Sequence, residues 1–97
     1  RTNKKNIYAV GDIVVSKNLI TNNKTPSQLA TNAVIQGKIA GKNIAGFKTK
    51  YNGHTSAMIL SFLGDEFGSA GLNEDYCKLN KIEYEIGTSH STDIYKD

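Results

Sequence analysis

The sequence predicts an α+β fold with the element order strand, helix, hairpin, helix, strand. Three observations carry that prediction. Across residues 27–45, Leu29, Ala33, Gly37, Ala40 and Ile44 fall at i, i+4, i+8, i+11 and i+15, one face of a helix. Ile82, Tyr84 and Ile86 alternate with Glu83 and Glu85, the period-two pattern of a half-buried strand. Residues 56–63 form an apolar run that stops at Gly64, a length that suits a strand.

The elements follow in chain order. Ile7-Tyr8-Ala9-Val10 is β-prone and ends at Gly11-Asp12, and Ile13-Val14-Val15 is a second short apolar run. Residues 18–26 are rich in Asn, Thr and Lys, with Asn22-Asn23 as the expected turn. Pro26 and Ser27 are helix start signals and Gly46 is a stop signal. The helix face between them is made mostly of small residues. Gly37 and Gly41 each cost about 1 kcal/mol against Ala inside a helix, so a closely packed neighbouring backbone is expected there. Lys38 and Lys42 fall on other faces and are expected in solvent. Residues 47–53 are a polar connector and the expected domain boundary. Gly64-Asp65-Glu66 is the expected turn between the apolar strand and a partner over residues 67–72. Asn73 can cap a short helix over residues 74–80 whose first turn is acidic. From Thr88 the chain is polar, with nothing to order it.

Ninety-seven residues suit one ordinary domain or pieces of two, and a chain of this length buries only about 60–65% of its unfolded surface. The hydrophobic fraction of 38% with no Trp is low for a self-sufficient core. No apolar run is long enough to span a membrane, and the basic start Arg1-Thr2-Asn3-Lys4-Lys5 leads into no signal-peptide core. The missing initiator Met points to a fragment. A single cysteine, Cys77, cannot form an internal disulfide, so a reducing, cytoplasmic setting is expected. The net charge of +3 conceals two unlike halves. Residues 1–50 hold nine Lys/Arg against Asp12 alone, and residues 51–97 hold three Lys against eight acids, giving +8 and −5. The lysines are scattered, with few aromatics among them, so no nucleic-acid partner is expected.

The feature with the most chemistry is Tyr8-Ala9-Val10-Gly11-Asp12. A strand ending in Gly-Asp places a carboxylate at its C-terminal end, where α/β sheets bind ligands. Gly lets a ligand approach the backbone, and the carboxylate can accept hydrogen bonds from sugar-alcohol hydroxyls. Taken alone, the same dipeptide also suits an ordinary turn.

Its surroundings add more. Thr2 ahead of Ala9-Val10-Gly11-Asp12, then Leu29, Ala30, Ala33 and Gly37 at the start of the helix, resemble the end of the FAD domain of the pyridine nucleotide-disulfide oxidoreductases. The branch most resembled is that of NADH oxidases, NADH peroxidases and coenzyme A-disulfide reductases. The segment from Gly53 to Glu85 is similar to the opening of that family's dimerisation domain, with two strands, the second leading to Gly71-Leu72, an acid-started helix and a further strand. The resemblance implies the end of a Rossmann-like FAD-binding domain over residues 1–50 and the start of an α+β dimerisation domain over residues 51–97. It further implies a hydride passed from NAD(P)H through FAD to a disulfide, persulfide, peroxide or oxygen. Asp12 would accept hydrogen bonds from the ribityl chain, with Gly11 giving clearance. Leu29, Ala30 and Thr31 would place a helix N-terminus beside the pyrimidine edge of the flavin, where free N–H groups stabilise the negative charge of the reduced ring. The implied partners are the rest of the same polypeptide and a second copy in a homodimer, with no metal and no membrane.

The sequence departs from the family at Thr31, where proline is frequent, and at His54, where glycine is frequent. It contains no G-x-G for either nucleotide, and the family's redox cysteine belongs to a segment not represented here, so no catalytic residue is expected. Cys77 reads as a buried structural thiol. Tyr95 falls near a family aromatic cluster, but its neighbours do not match and it takes no role. The run Gly37-Lys38-Ile39-Ala40-Gly41-Lys42 is one residue short of a phosphate loop and lies mid-helix, where the N–H groups are already used. His54 and His90 have no ligand partners at metal spacing. The fragment is expected to be inactive alone, and its apolar strand to promote self-association. The alternative reading of the residues is a free-standing α+β interaction module that uses the strands at 58–63 and 82–86. Nucleic-acid binding through the basic half is a third.

Overall fold

The computed structural model describes residues 1–91; Asp93 and Tyr95 lie outside that range. A 3-10 turn at Gly11–Ile13 leads into β1 (Val15–Lys17) and β2 (Lys24–Pro26), followed by α1 (Ala30–Ile44), β3 (Met58–Phe62), β4 (Asp65–Ser69) and α2 (Glu74–Leu79). Each sheet is one antiparallel hairpin, β1 with β2 and β3 with β4. The mixture of short strands and two helices is the α+β class expected.

The first hairpin turns where Asn22 adopts φ 60°, a left-handed conformation that Asn tolerates. Asn18 stabilises the loop by accepting hydrogen bonds at Oδ1 from the N–H groups of Ile20 (2.9 Å) and Thr21 (3.3 Å). Helix α1 begins three residues later than the start signals predict. Pro26 instead closes β2, and Leu29 is the extended N-cap residue. The C-terminal end follows expectation. Gly46 takes φ 94°, its N–H reaches the Asn43 carbonyl at 3.2 Å, and the Phe47 N–H reaches the Lys42 carbonyl at 2.9 Å. These two bonds form a Schellman closure, which glycine at that position permits.

The buried face of α1 is rotated from the expected one. Gln36 and Ala40 are buried, whereas Ile44 is 70% exposed. Gly37 and Gly41 have open space where a Cβ would sit, so no backbone packs on them among the described residues. Contact with α1 comes instead at Gly11, where a Cβ would lie at an ordinary van der Waals distance of 3.6 Å from the Ala33 Cβ.

Two expected strands are absent as strands. Residues 7–10 and 82–86 pair with nothing among the described residues. Val10 is nonetheless extended, with φ −148° and ψ 165°. A β conformation without a ladder partner does not make a sheet, because its N–H and C=O groups remain open. In the second hairpin the turn lies one step earlier than expected. Leu63 and Gly64 form it with φ 52° and 90°, while Asp65 and Glu66 join β4. Two positive φ values in a two-residue loop match the twist of the flanking strands, and that requirement overrides the turn preference of Asp. Helix α2 is capped as expected, with Asn73 Oδ1 accepting the Tyr76 N–H at 2.8 Å. Cys77 is free and buried in that helix.

The interior is thin. Among the described residues, Ala40 and Cys77 are the buried apolar side chains, and the other buried residues are Gly11 and the polar Asn18, Ser27, Gln36 and His54. Met58, Ile59, Leu60, Phe62 and Phe67 of the second hairpin are all exposed. The radius of gyration is 17.6 Å, well above the roughly 13 Å of a compact 100-residue domain.

Candidate functional site

The site is assembled around the first turns of α1. Gly11 is buried and left-handed, at φ 81°. Its N–H donates to Oε1 of Gln36 at 2.8 Å, across 25 residues of chain. Gln36 is itself only 5% exposed, so this bond pins the 3-10 turn to α1 from inside. The turn closes when the Val14 N–H donates to the Gly11 carbonyl at 3.2 Å. Asp12 follows immediately and is exposed. It makes no hydrogen bond or ion pair among the described residues, so its carboxylate is available to a ligand.

The start of α1 is open. Leu29 supplies no side-chain cap, and no acid lies in the first turn. The first ladder bond runs from the Ala33 N–H to the Leu29 carbonyl at 3.0 Å, so the N–H groups of Ala30, Thr31 and Asn32 have no intrahelical acceptor. Such groups, with the positive end of the helix dipole, favour negative charge or a lone-pair acceptor. Leu29, Ala30 and Thr31 form one wall of a groove of about 820 Å³. The opposite wall is the second hairpin, Ala57, Met58 and Ile59 on one strand and Gly68, Ser69 and Ala70 on the other. The groove is therefore mainly apolar, with one polar, donor-rich edge.

Of the five residues singled out from the sequence, Leu29, Ala30 and Thr31 share this groove. Gly11 and Asp12 do not line it. They lie on the neighbouring turn, which meets α1 at Ala33, about one helical turn beyond Leu29.

Sequence reasoning missed two supporting residues. Gln36 was legible only as a polar residue among apolar ones on α1. His54 read only as a departure from the family's frequent glycine, just past the polar connector, yet it is 3% exposed. Its Nε2 lies 3.3 Å from Thr25 Oγ1 and its Nδ1 lies 3.2 Å from Ser56 Oγ. Its backbone pairs with the end of β1 as well: the His54 N–H donates to the Lys17 carbonyl at 2.9 Å and its carbonyl accepts the Leu19 N–H at 2.8 Å. Gly53, at φ 128°, crosses so close to the Lys17 carbonyl that any Cβ would collide with it. Among the described residues, no group of three His, Cys, Asp or Glu could hold a metal ion, and no helix is long and apolar enough to cross a membrane.

No protein-family model matches the chain. Over 88 residues it is 44% identical to an NADH oxidase of Methanocaldococcus jannaschii, covering 90% of this chain and 19% of that protein. Over 89 residues it is 35% identical to a CoA-dependent NAD(P)H sulfur oxidoreductase of Pyrococcus furiosus, covering 92% and 20%. Among solved structures, a NAD-dependent persulfide reductase from A. fulgidus superposes with a TM-score of 0.77 at 32% identity, over 84% of this chain and 15% of that one. The chain thus spans about a fifth of the length of the curated relatives it matches.

Proposed function

Since the chain belongs with the pyridine nucleotide-disulfide oxidoreductases, we propose that it works as the segment of a cytoplasmic flavoprotein that joins the FAD-binding domain to the dimerisation domain. Residues 1–50 close the FAD domain and residues 51–97 open the dimerisation domain. The enzyme as a whole passes a hydride from NAD(P)H through FAD to a disulfide, persulfide, peroxide or oxygen. FAD supplies the two-electron redox chemistry, and this chain supplies none of the reacting groups.

The observation that carries the reading is the open start of α1. The first turn of α1 has no side-chain cap and no acid, its first three N–H groups lack an intrahelical acceptor, and two of the residues that carry them, Ala30 and Thr31, line a groove with mainly apolar walls. That donor set fits the pyrimidine edge of a flavin, where Leu29, Ala30 and Thr31 would stabilise charge that develops on reduction. Asp12, exposed and without a partner among the described residues, would accept hydrogen bonds from the ribityl hydroxyls. Gly11 holds the turn in a conformation that other residues resist. The exposed apolar side chains of β3 and β4 support a role in a larger sheet and in homodimer contacts. The thin interior argues against a free-standing module, which would need a core of its own.

In the full-length protein, Asp12→Ala should weaken FAD binding by roughly 10- to 100-fold, the worth of a charge-assisted hydrogen bond or two. Titration of the apoprotein with FAD measures this directly. Unchanged affinity in the variant would remove Asp12 from the site.

A further inference from the structure

The groove at the start of α1 has two walls that come from distant parts of the chain. The substantial packing between regular elements lies within each hairpin and between the 3-10 turn and α1, not between α1 and the second hairpin. The spacing of the walls must therefore be set at their roots. Both roots meet at residues 54 and 55. The Thr25 hydroxyl, on the strand that leads into Leu29, lies 3.3 Å from His54 Nε2. The Ser56 hydroxyl, next to the groove residue Ala57, lies 3.2 Å from His54 Nδ1. The second strand of the hairpin is anchored beside them, with the Gly71 N–H donating to the Thr55 carbonyl at 3.1 Å.

We propose that His54 is a positioning residue: its buried ring ties β2 to the root of the β3–β4 hairpin and so fixes the width of the groove at the start of α1. The geometry suits that task. An imidazole presents two nitrogens on opposite edges of a rigid ring, so it can hold two hydroxyls at a set separation. Burial at 3% exposure removes water as a competing partner, and the backbone pairing with Lys17 and Leu19 fixes where the ring starts. The consequence for function rests on the reading of this groove as the flavin-edge site. Loosening the root would let the helix N-terminus drift from the ring it stabilises, which lowers the flavin potential and weakens FAD binding.

The test uses the full-length flavoprotein with His54→Ala, Thr25→Val, Ser56→Ala and the double variants. Three quantities are read: FAD affinity of the apoprotein, flavin midpoint potential and thermal unfolding. His54→Ala should weaken FAD binding roughly tenfold, as expected for one or two lost hydrogen bonds, and shift the potential downward. Thr25→Val and Ser56→Ala, milder changes that keep the ring, should each reproduce part of both effects. Adding either to His54→Ala should change neither readout further. A lower unfolding temperature with FAD affinity and potential unchanged would overturn the proposal, leaving His54 a stabilising residue only. Additive effects of the three substitutions would overturn it too. A wild-type protein that binds no FAD would instead overturn the flavin reading, and this inference with it.

Discussion

Gly11 carries two constraints at once, a left-handed backbone and an internal hydrogen bond to Gln36. Ala at this position would meet Ala33 at an ordinary contact distance, so sterics at the Cβ are not the obstacle. The conformation is: Gly11→Ala should cost about 1–2 kcal/mol in chemical denaturation, the penalty of a left-handed L-residue. Gln36→Leu should cost about 1–3 kcal/mol, because it leaves the Gly11 N–H buried and unsatisfied. At this scale the sequence was informative about the Gly-Asp pair and silent about what holds it. The residue that pins Gly11 is 25 positions away, and no local pattern records that contact. His54 was hidden for a similar reason. Its neighbours are polar, and its burial arises from packing against the first hairpin.

Helices were the most legible elements because their end signals are local. Asn73 and Gly46 both act where the sequence placed them. Asn73→Ala should accordingly lower stability by about 1 kcal/mol, read from the denaturation midpoint. The start of α1 was misplaced because Pro26 serves a strand end as readily as a helix start, and here the pairing of Val15 with Pro26 decides. Strands were less legible. The alternating pattern at 82–86 and the apolar run at 7–10 are real preferences, but a ladder needs a second strand, and none is supplied by the described residues. The register of β3 and β4 depends on Leu63-Gly64, where Gly64→Val should unsettle the turn and broaden the amide signals of the hairpin in NMR spectra.

For the whole molecule, the balance between buried and exposed apolar surface is the informative quantity. Among the described residues two apolar side chains are buried, too few for a domain of this size, and a radius of gyration of 17.6 Å describes an open, plate-like body rather than a ball. The composition had indicated this, through a hydrophobic fraction of 38% and the absence of Trp. The 97-residue chain alone should self-associate through its second hairpin, and Ile59→Lys, at a position 84% exposed, should reduce that association in sedimentation experiments without loss of helix content. The charge asymmetry between the halves was equally legible, whereas the groove between α1 and the second hairpin was not, since it forms only when residues 29–31 and 57–70 come together.

We have proposed that this chain holds one edge of a flavin in a hydride-transferring enzyme. The visible absorption spectrum of the full-length protein, recorded before and after addition of NADH, tests it most directly. A flavin band should be present at the outset and should bleach when NADH is added. A folded full-length protein that is colourless, and takes up no FAD when it is supplied, would contradict it.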